Sequence, residues 1–117
     1  MRDYGEEEAK LVEIDWTEIR DRAGEQFGLP AAAVMHRGRA REIVRVRWVM
    51  AWVGRELGGL TNRELAKELQ QDPAVLGRGL GRLAEELAIN PALRRIVERL
   101  CASLRKGRRP IRSIRFA

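Results

Sequence analysis

Residues 61–87 read TNRELAKELQQDPAVLGRGLGRLAEEL, and this stretch decides the predicted fold. Thr61 can cap a helix, and Glu64 stands at the position that completes a capping box. Two glutamines then make a turn, after which Asp72 followed by Pro73 is the preferred way to open a second helix. The pattern therefore predicts a helix-turn-helix, although an ordinary pair of packed helices has the same pattern.

The second of these helices has two chemically different faces. Its leucines recur at helical spacing and predict a core-facing stripe of Leu76, Leu80, Leu83 and Leu87. The opposite face then carries Ala74, Gly77, Arg78, Gly81 and Arg82. Glycines at 77, 79 and 81 each cost about 1 kcal/mol relative to alanine inside a helix. Two explanations stay open: close approach of the helix to another backbone, of protein or of DNA, or a weakly stable helix.

The rest of the chain is predicted to be helical, with no strand pattern. A capping box of Asp15 and Glu18 opens the first helix, and Gly28 ends it. The remaining predicted helices are a short one at 31–35, a long one at 40–57 that ends in two glycines, and a last one at 91–104 that follows an Asn-Pro start. The expected fold class is therefore all-α, a compact domain of about five to six helices containing the helix-turn-helix.

The sequence divides into three predicted parts. Residues 1–13 are interpreted as a linker or disordered N-terminus, although Leu11 and Val12 are apolar enough to cover part of a core. Residues 14–105 form the helical domain. Residues 106–117 form a basic C-terminal tail in which basic and apolar side chains alternate.

The balance of charge favours a polyanionic partner. Twenty-three Lys and Arg residues oppose 17 Asp and Glu residues, which gives a net charge of +6 and a pI near 10.6. The basic residues concentrate at 37–47 and 105–115. Nucleic acid is the commonest partner for such a surface, although many small proteins are basic without a functional reason.

Other classes of function find little support in the sequence. A single cysteine, Cys101, excludes an internal disulfide and a cysteine-based zinc site, and His36 is the only histidine. No nucleophile–base or paired-histidine pattern is present, so we expect neither an enzyme nor a bound cofactor, metal or small-molecule substrate. No apolar run is long enough to span a membrane, and no apolar leader is visible. We therefore expect a cytoplasmic protein.

An arginine-rich loop precedes the longest predicted helix. The loop reads Arg37-Gly38-Arg39-Ala40-Arg41, and its arginines are suited to neutralising phosphates. The helix follows as EIVRVRWVMAWVGREL, in which Trp48 and Trp52 lie one turn apart. Such a pair can stack on bases, but it more often belongs to a core or to a contact between helices.

These elements, in this order, resemble the C-terminal DNA-binding domain of the bacterial replication initiator DnaA. They look closer still to the DnaA-type domain appended to some REP-associated tyrosine transposases. The resemblance covers about residues 14–104 and rests on a helix ending in FGL, the basic loop, RVRWVMAWVGREL, and ELAKELQQDPAVLGRGLGRL. It implies a helical fold similar to the DnaA C-terminal domain and Trp repressor, with a helix-turn-helix that enters the major groove of double-stranded DNA.

The resemblance also assigns roles to individual residues. Arg45 matches the family's arginine that enters the minor groove, and Arg39 and Arg41 match loop residues that contact phosphates. Asp72 matches the aspartate that opens the family's recognition helix. The initiators continue with His-Thr-Thr, whereas this chain has Pro-Ala-Val at 73–75, which removes polar groups that direct readout of bases requires. The catalytic motif of the transposases has no counterpart here.

Two hypotheses follow. In the first, the chain binds double-stranded DNA through Arg37, Arg39, Arg41, Arg45, Thr61, Asp72, Ala74, Val75, Arg78 and Arg82. In the second, the helix-turn-helix has lost DNA binding and serves as a protein-interaction module. A steep loss of affinity with salt is expected only for the first.

Overall fold

The structure, a computed structural model, describes residues 11–30, residue 34 and residues 41–106. These ranges contain five α-helices and no strand, which confirms the expected all-α class for this part of the chain. The helices are α1 (Trp16–Phe27), α2 (Arg41–Glu56), α3 (Asn62–Leu69), α4 (Pro73–Ile89) and α5 (Pro91–Arg105). Except for Val34 and Arg41, the predicted short helix at 31–35 and the basic loop at 37–41 lie outside the described residues.

The predicted starts of α3, α4 and α5 are confirmed atom by atom. Thr61 Oγ1 accepts a hydrogen bond from the Glu64 N–H at 3.1 Å, and a Glu64 carboxylate oxygen accepts one from the Thr61 N–H at 2.8 Å. The Asp72 carboxylate accepts from the Ala74 N–H at 2.7 Å. Asn90 caps α5 in a similar way. Each cap satisfies a donor that the helix start would otherwise leave without a partner.

The capping box predicted for the first helix is wrong. Asp15 does hold the N-cap position of α1, but its side chain accepts no cap hydrogen bond. Its backbone carbonyl instead accepts from the N–H groups of Glu18 and Ile19, each at 3.1 Å. Asp15 is exposed, and its contribution to the start of α1 comes from its backbone carbonyl rather than its carboxylate.

Helix α2 lies at the centre of the fold and contacts each of the other four helices. One hydrophobic cluster joins α1, α2 and α5 with Leu83 of α4, and a second joins α2, α3 and α4. Trp16, Trp48 and Trp52 are half-buried and pack against both clusters. The prediction that the α2 tryptophans belong to the packing between helices is confirmed.

The described residues before α1, residues 11–15, belong to the packed domain. Val12 is buried and its N–H donates to the Leu57 carbonyl at 3.0 Å. The side chain of Leu11 covers Gly59, where an added Cβ would lie 2.7 Å from Leu11 Cδ1. Gly59 also has φ +73°, so the turn between α2 and α3 needs glycine for its backbone and for this contact.

None of the described helices has both the length and the apolar character that a membrane crossing requires.

Candidate nucleic-acid interface

Helix α4 separates an apolar inner face from an outer face of small and basic side chains. Leu76, Leu80 and Leu83 are buried, as their spacing predicts. The exposed residues of its first three turns are Pro73, Ala74, Val75, Gly77, Arg78, Gly81, Arg82 and Ala84. Residues 73–84 contain two arginines and no carboxylate, so this stretch of the surface is positively charged.

The three glycines of α4 have different surroundings. Gly79 is buried, and a Cβ added to it would lie 2.6 Å from Cε2 of Trp48. Around Gly77 and Gly81 an added Cβ would meet nothing within 4 Å. Gly79 therefore permits the close approach of α4 to α2, whereas at Gly77 and Gly81 no side chain protrudes and the α4 backbone is accessible on its outer face.

An open cleft separates the outer edges of α2 and α4, and it has a volume of about 150 Å³. Two aliphatic side chains line it together with Arg41, Arg45, Trp48, Gly79, Arg82 and Glu86. We call this feature the arginine cleft. Because Arg41 and Arg45 come from α2 and Arg82 comes from α4, the fold brings arginines from two separate segments to one place. Arg78 lies one turn before Arg82 on α4 and continues the same basic surface.

Arg45 is held by a carboxylate rather than projecting freely. Its guanidinium donates to Glu86 on α4, and the two side chains are 42% and 31% exposed. Glu86 is the one carboxylate among the described residues of the cleft. Three arginines and one glutamate leave a net charge of +2 there. The resemblance implies that Arg45 enters the minor groove of DNA, whereas in the structure its guanidinium is paired with a carboxylate 41 positions along the chain.

Two of the predicted site residues, Thr61 and Asp72, have structural roles as helix caps. Thr61 is exposed, but its side chain closes the capping box of α3. Asp72 is exposed and holds the first turn of α4 through the N–H of Ala74.

Val75 is 37% exposed and presents an apolar side chain on the outer face. Of the arginines in the predicted loop, Arg37 and Arg39 lie outside the described residues.

Other basic residues are engaged away from the arginine cleft. Arg94 on α5 donates to the carbonyls of Leu87 and Ala88 at 3.0 and 3.1 Å, where it satisfies acceptors at the end of α4. The Arg55 guanidinium lies 5.4 Å from the centroid of the Trp52 ring, within the range of a cation–π contact. Among the described residues, no group of three or more side chains is arranged to hold a metal ion.

No protein-family model matches the chain, and no curated protein matches it as a relative.

Proposed function

We propose that the chain is a double-stranded DNA-binding domain in which α3 and α4 form a helix-turn-helix. Helix α4 would enter the major groove, while α2 and the arginine cleft face the phosphate backbone beside it. The observation that carries this proposal is the convergence of Arg41 and Arg82 on one cleft, with Arg78 one turn away. Guanidinium groups grouped in this way suit phosphates because each presents several N–H donors in a fixed plane.

The shape of α4 supports the same proposal. The major groove is about 12 Å wide and admits a helix. Ala74 has only a methyl group and Gly77 and Gly81 have no side chain, so the helix axis can approach the base edges closely. Arg78 and Arg82 flank these three positions and can reach guanine edges or phosphates.

Weak sequence preference is the expected consequence of the first turn of α4. Pro73, Ala74 and Val75 offer no side-chain donors or acceptors, and Val75 offers only apolar contact, for example with a thymine methyl group. Affinity would then come mainly from phosphates and fall steeply with salt. The resemblance to DnaA-type domains favours an accessory role in a transposase or in a replication or regulatory protein.

A salt titration of duplex binding tests the proposal. Fluorescence anisotropy with a labelled random-sequence duplex gives Kd at several salt concentrations. We expect log affinity to fall linearly with log salt, with a slope of about −0.9 for each phosphate neutralised. Replacing Arg78 and Arg82 together by alanine should lower the magnitude of that slope by about 2.

A matched control separates a defined surface from net charge. Arg95 and Arg99 are exposed on α5 with the same four-residue spacing, and replacing both by alanine removes the same charge. This control should change the slope much less than the α4 substitutions. Equal losses from both pairs, or no binding by the unsubstituted chain at low salt, would contradict the proposal.

A protein-interaction module is the second candidate. Val75 is 37% exposed and Ile89 is 80% exposed, so two large apolar side chains are accessible to a protein partner. The outer face of α4 has no protruding side chain at Gly77 and Gly81, which would let another helix pack closely there. This alternative requires that the duplex fails to bind at any salt concentration while a protein partner is retained at high salt.

A further inference from the structure

We propose that the arginine cleft is the binding site for one DNA phosphate and that the Glu86 carboxylate occupies this site in the free protein. The inference rests on the proposed function, because it concerns how the same surface engages a duplex. Glu86 would act as an internal competitor, lowering affinity for DNA until a phosphate displaces its carboxylate from Arg45. It is thus an affinity-setting residue rather than a group that contacts DNA.

The contacts of Glu86 support this role. Its carboxylate accepts from the Arg45 guanidinium and lines the cleft that Arg41 and Arg82 also line. A phosphodiester carries one negative charge and accepts hydrogen bonds from guanidinium groups much as a carboxylate does. A phosphate in this position would therefore use the donors that Glu86 uses in the free protein.

Because both side chains of the ion pair are partly exposed, replacing the Glu86 carboxylate by a phosphate costs little free energy. The Arg45 and Glu86 side chains are 42% and 31% exposed, so separating them does not strand a buried charge. Ion pairs of this exposed kind contribute little to stability. Among the described residues, neither Arg41 nor Arg82 forms an ion pair, so both guanidinium groups are available to the incoming phosphate. The phosphate would meet three arginines, whereas Glu86 is paired with one.

The fold also explains why a carboxylate is useful at this position in the free protein. Three guanidinium groups around a cleft of about 150 Å³ repel one another. Glu86 relieves part of this repulsion and keeps Arg45 against α4. Arg82 lies one helical turn before Glu86, which places both charges on the same side of α4.

The test compares Glu86→Gln with Glu85→Gln in the salt titration described above. Both substitutions remove one negative charge from α4 and keep the size of the side chain. Glu85 is exposed, and the described residues include no ion-pair partner for it. E86Q is expected to raise duplex affinity about two- to fivefold, the range that corresponds to an exposed ion pair. The salt slope should stay close to that of the unsubstituted chain, because the same phosphate is neutralised in both complexes. E85Q should raise affinity much less than E86Q, because Glu85 does not compete with the phosphate for Arg45.

A second comparison tests whether Glu86 acts through Arg45. In an Arg45→Ala background, E86Q should lose most of its affinity gain, because the arginine for which Glu86 competes is no longer present. Circular dichroism melts establish that each variant is folded. Glu86→Ala, which removes the carboxylate in a different way, should change affinity in the same direction as E86Q.

The outcomes separate this inference from the proposed function. If the unsubstituted chain binds duplex DNA but E86Q binds with the same affinity, or E85Q reproduces its gain, the role of Glu86 is refuted while DNA binding stands. If neither the unsubstituted chain nor E86Q binds at low salt, the proposed function itself fails. Tighter binding by E86Q than by E85Q and by the unsubstituted chain supports both.

Discussion

Replacing Gly79 by alanine should destabilise the domain even though alanine is the better helix former. An added Cβ would lie 2.6, 2.7 and 2.8 Å from Cε2, Cζ2 and Cδ2 of Trp48. Optimal carbon–carbon contacts are about 3.5–4.0 Å, so the two helices must separate by about 1 Å or the indole must turn. Trp48 packs against both hydrophobic clusters, which restricts its movement.

The expected magnitude follows from two opposing terms. Overpacking of a well-packed site costs about 1–3 kcal/mol. Alanine recovers about 1 kcal/mol of helix propensity relative to glycine. We therefore expect Gly79→Ala to lower the free energy of unfolding by about 0–2 kcal/mol.

Gly77 and Gly81 provide internal controls on the same helix. Nothing lies within 4 Å of a Cβ added at either position, so alanine there should raise the free energy of unfolding by about 0.5–1 kcal/mol. Because the propensity gain is common to all three substitutions, the difference between Gly79→Ala and Gly77→Ala isolates the steric term, about 1–3 kcal/mol.

Urea denaturation followed by circular dichroism measures these differences from the midpoints at constant m value. A thermal melt gives an independent value, since 1 kcal/mol shifts Tm by about 4–8 °C in a domain of about this size. If Gly79→Ala stabilises the domain as much as Gly77→Ala does, α4 does not pack on Trp48 as described.

The other predictions concern helix caps and the thiol. Asp72→Ala should lower the free energy of unfolding by about 1 kcal/mol in urea titrations, because α4 loses its cap. Asp15→Ala should cost only a few tenths, since that side chain caps nothing, and equal losses would contradict this distinction. Burial raises the pKa of the Cys101 thiol, and the nearby Arg105 charge opposes this only in part. Iodoacetamide should therefore react more slowly with the folded chain than with the urea-unfolded chain at the same pH. The contribution of Cys101 to stability is complete below the pKa of the unfolded thiol and is lost as pH rises towards the folded pKa, so stability should fall in the alkaline range. Equal alkylation rates in the two states would show that the thiol is not shielded.

Local sequence patterns account for the five described helices and for most of their ends. The caps at Thr61, Asp72 and Asn90 form between groups at most three residues apart, so the local chain contains all the information that they need. The core-facing stripes are equally local in origin, because helical periodicity assigns each leucine of α4 to a face before any partner is known. The wrong prediction at Asp15 shows the limit of this reasoning, since the residues of a capping box can be present in the sequence while the N-cap side chain makes no cap hydrogen bond.

The organisation of the outer surface, by contrast, depends on how the helices pack together. In the sequence Gly77, Gly79 and Gly81 look equivalent, and the position of Trp48 on a different helix makes one of them a packing contact and leaves two exposed. The Arg45–Glu86 pair likewise joins residues 41 positions apart. Such contacts depend on how α2 and α4 are rotated and spaced against each other, and that arrangement comes from packing the whole core rather than from any local pattern.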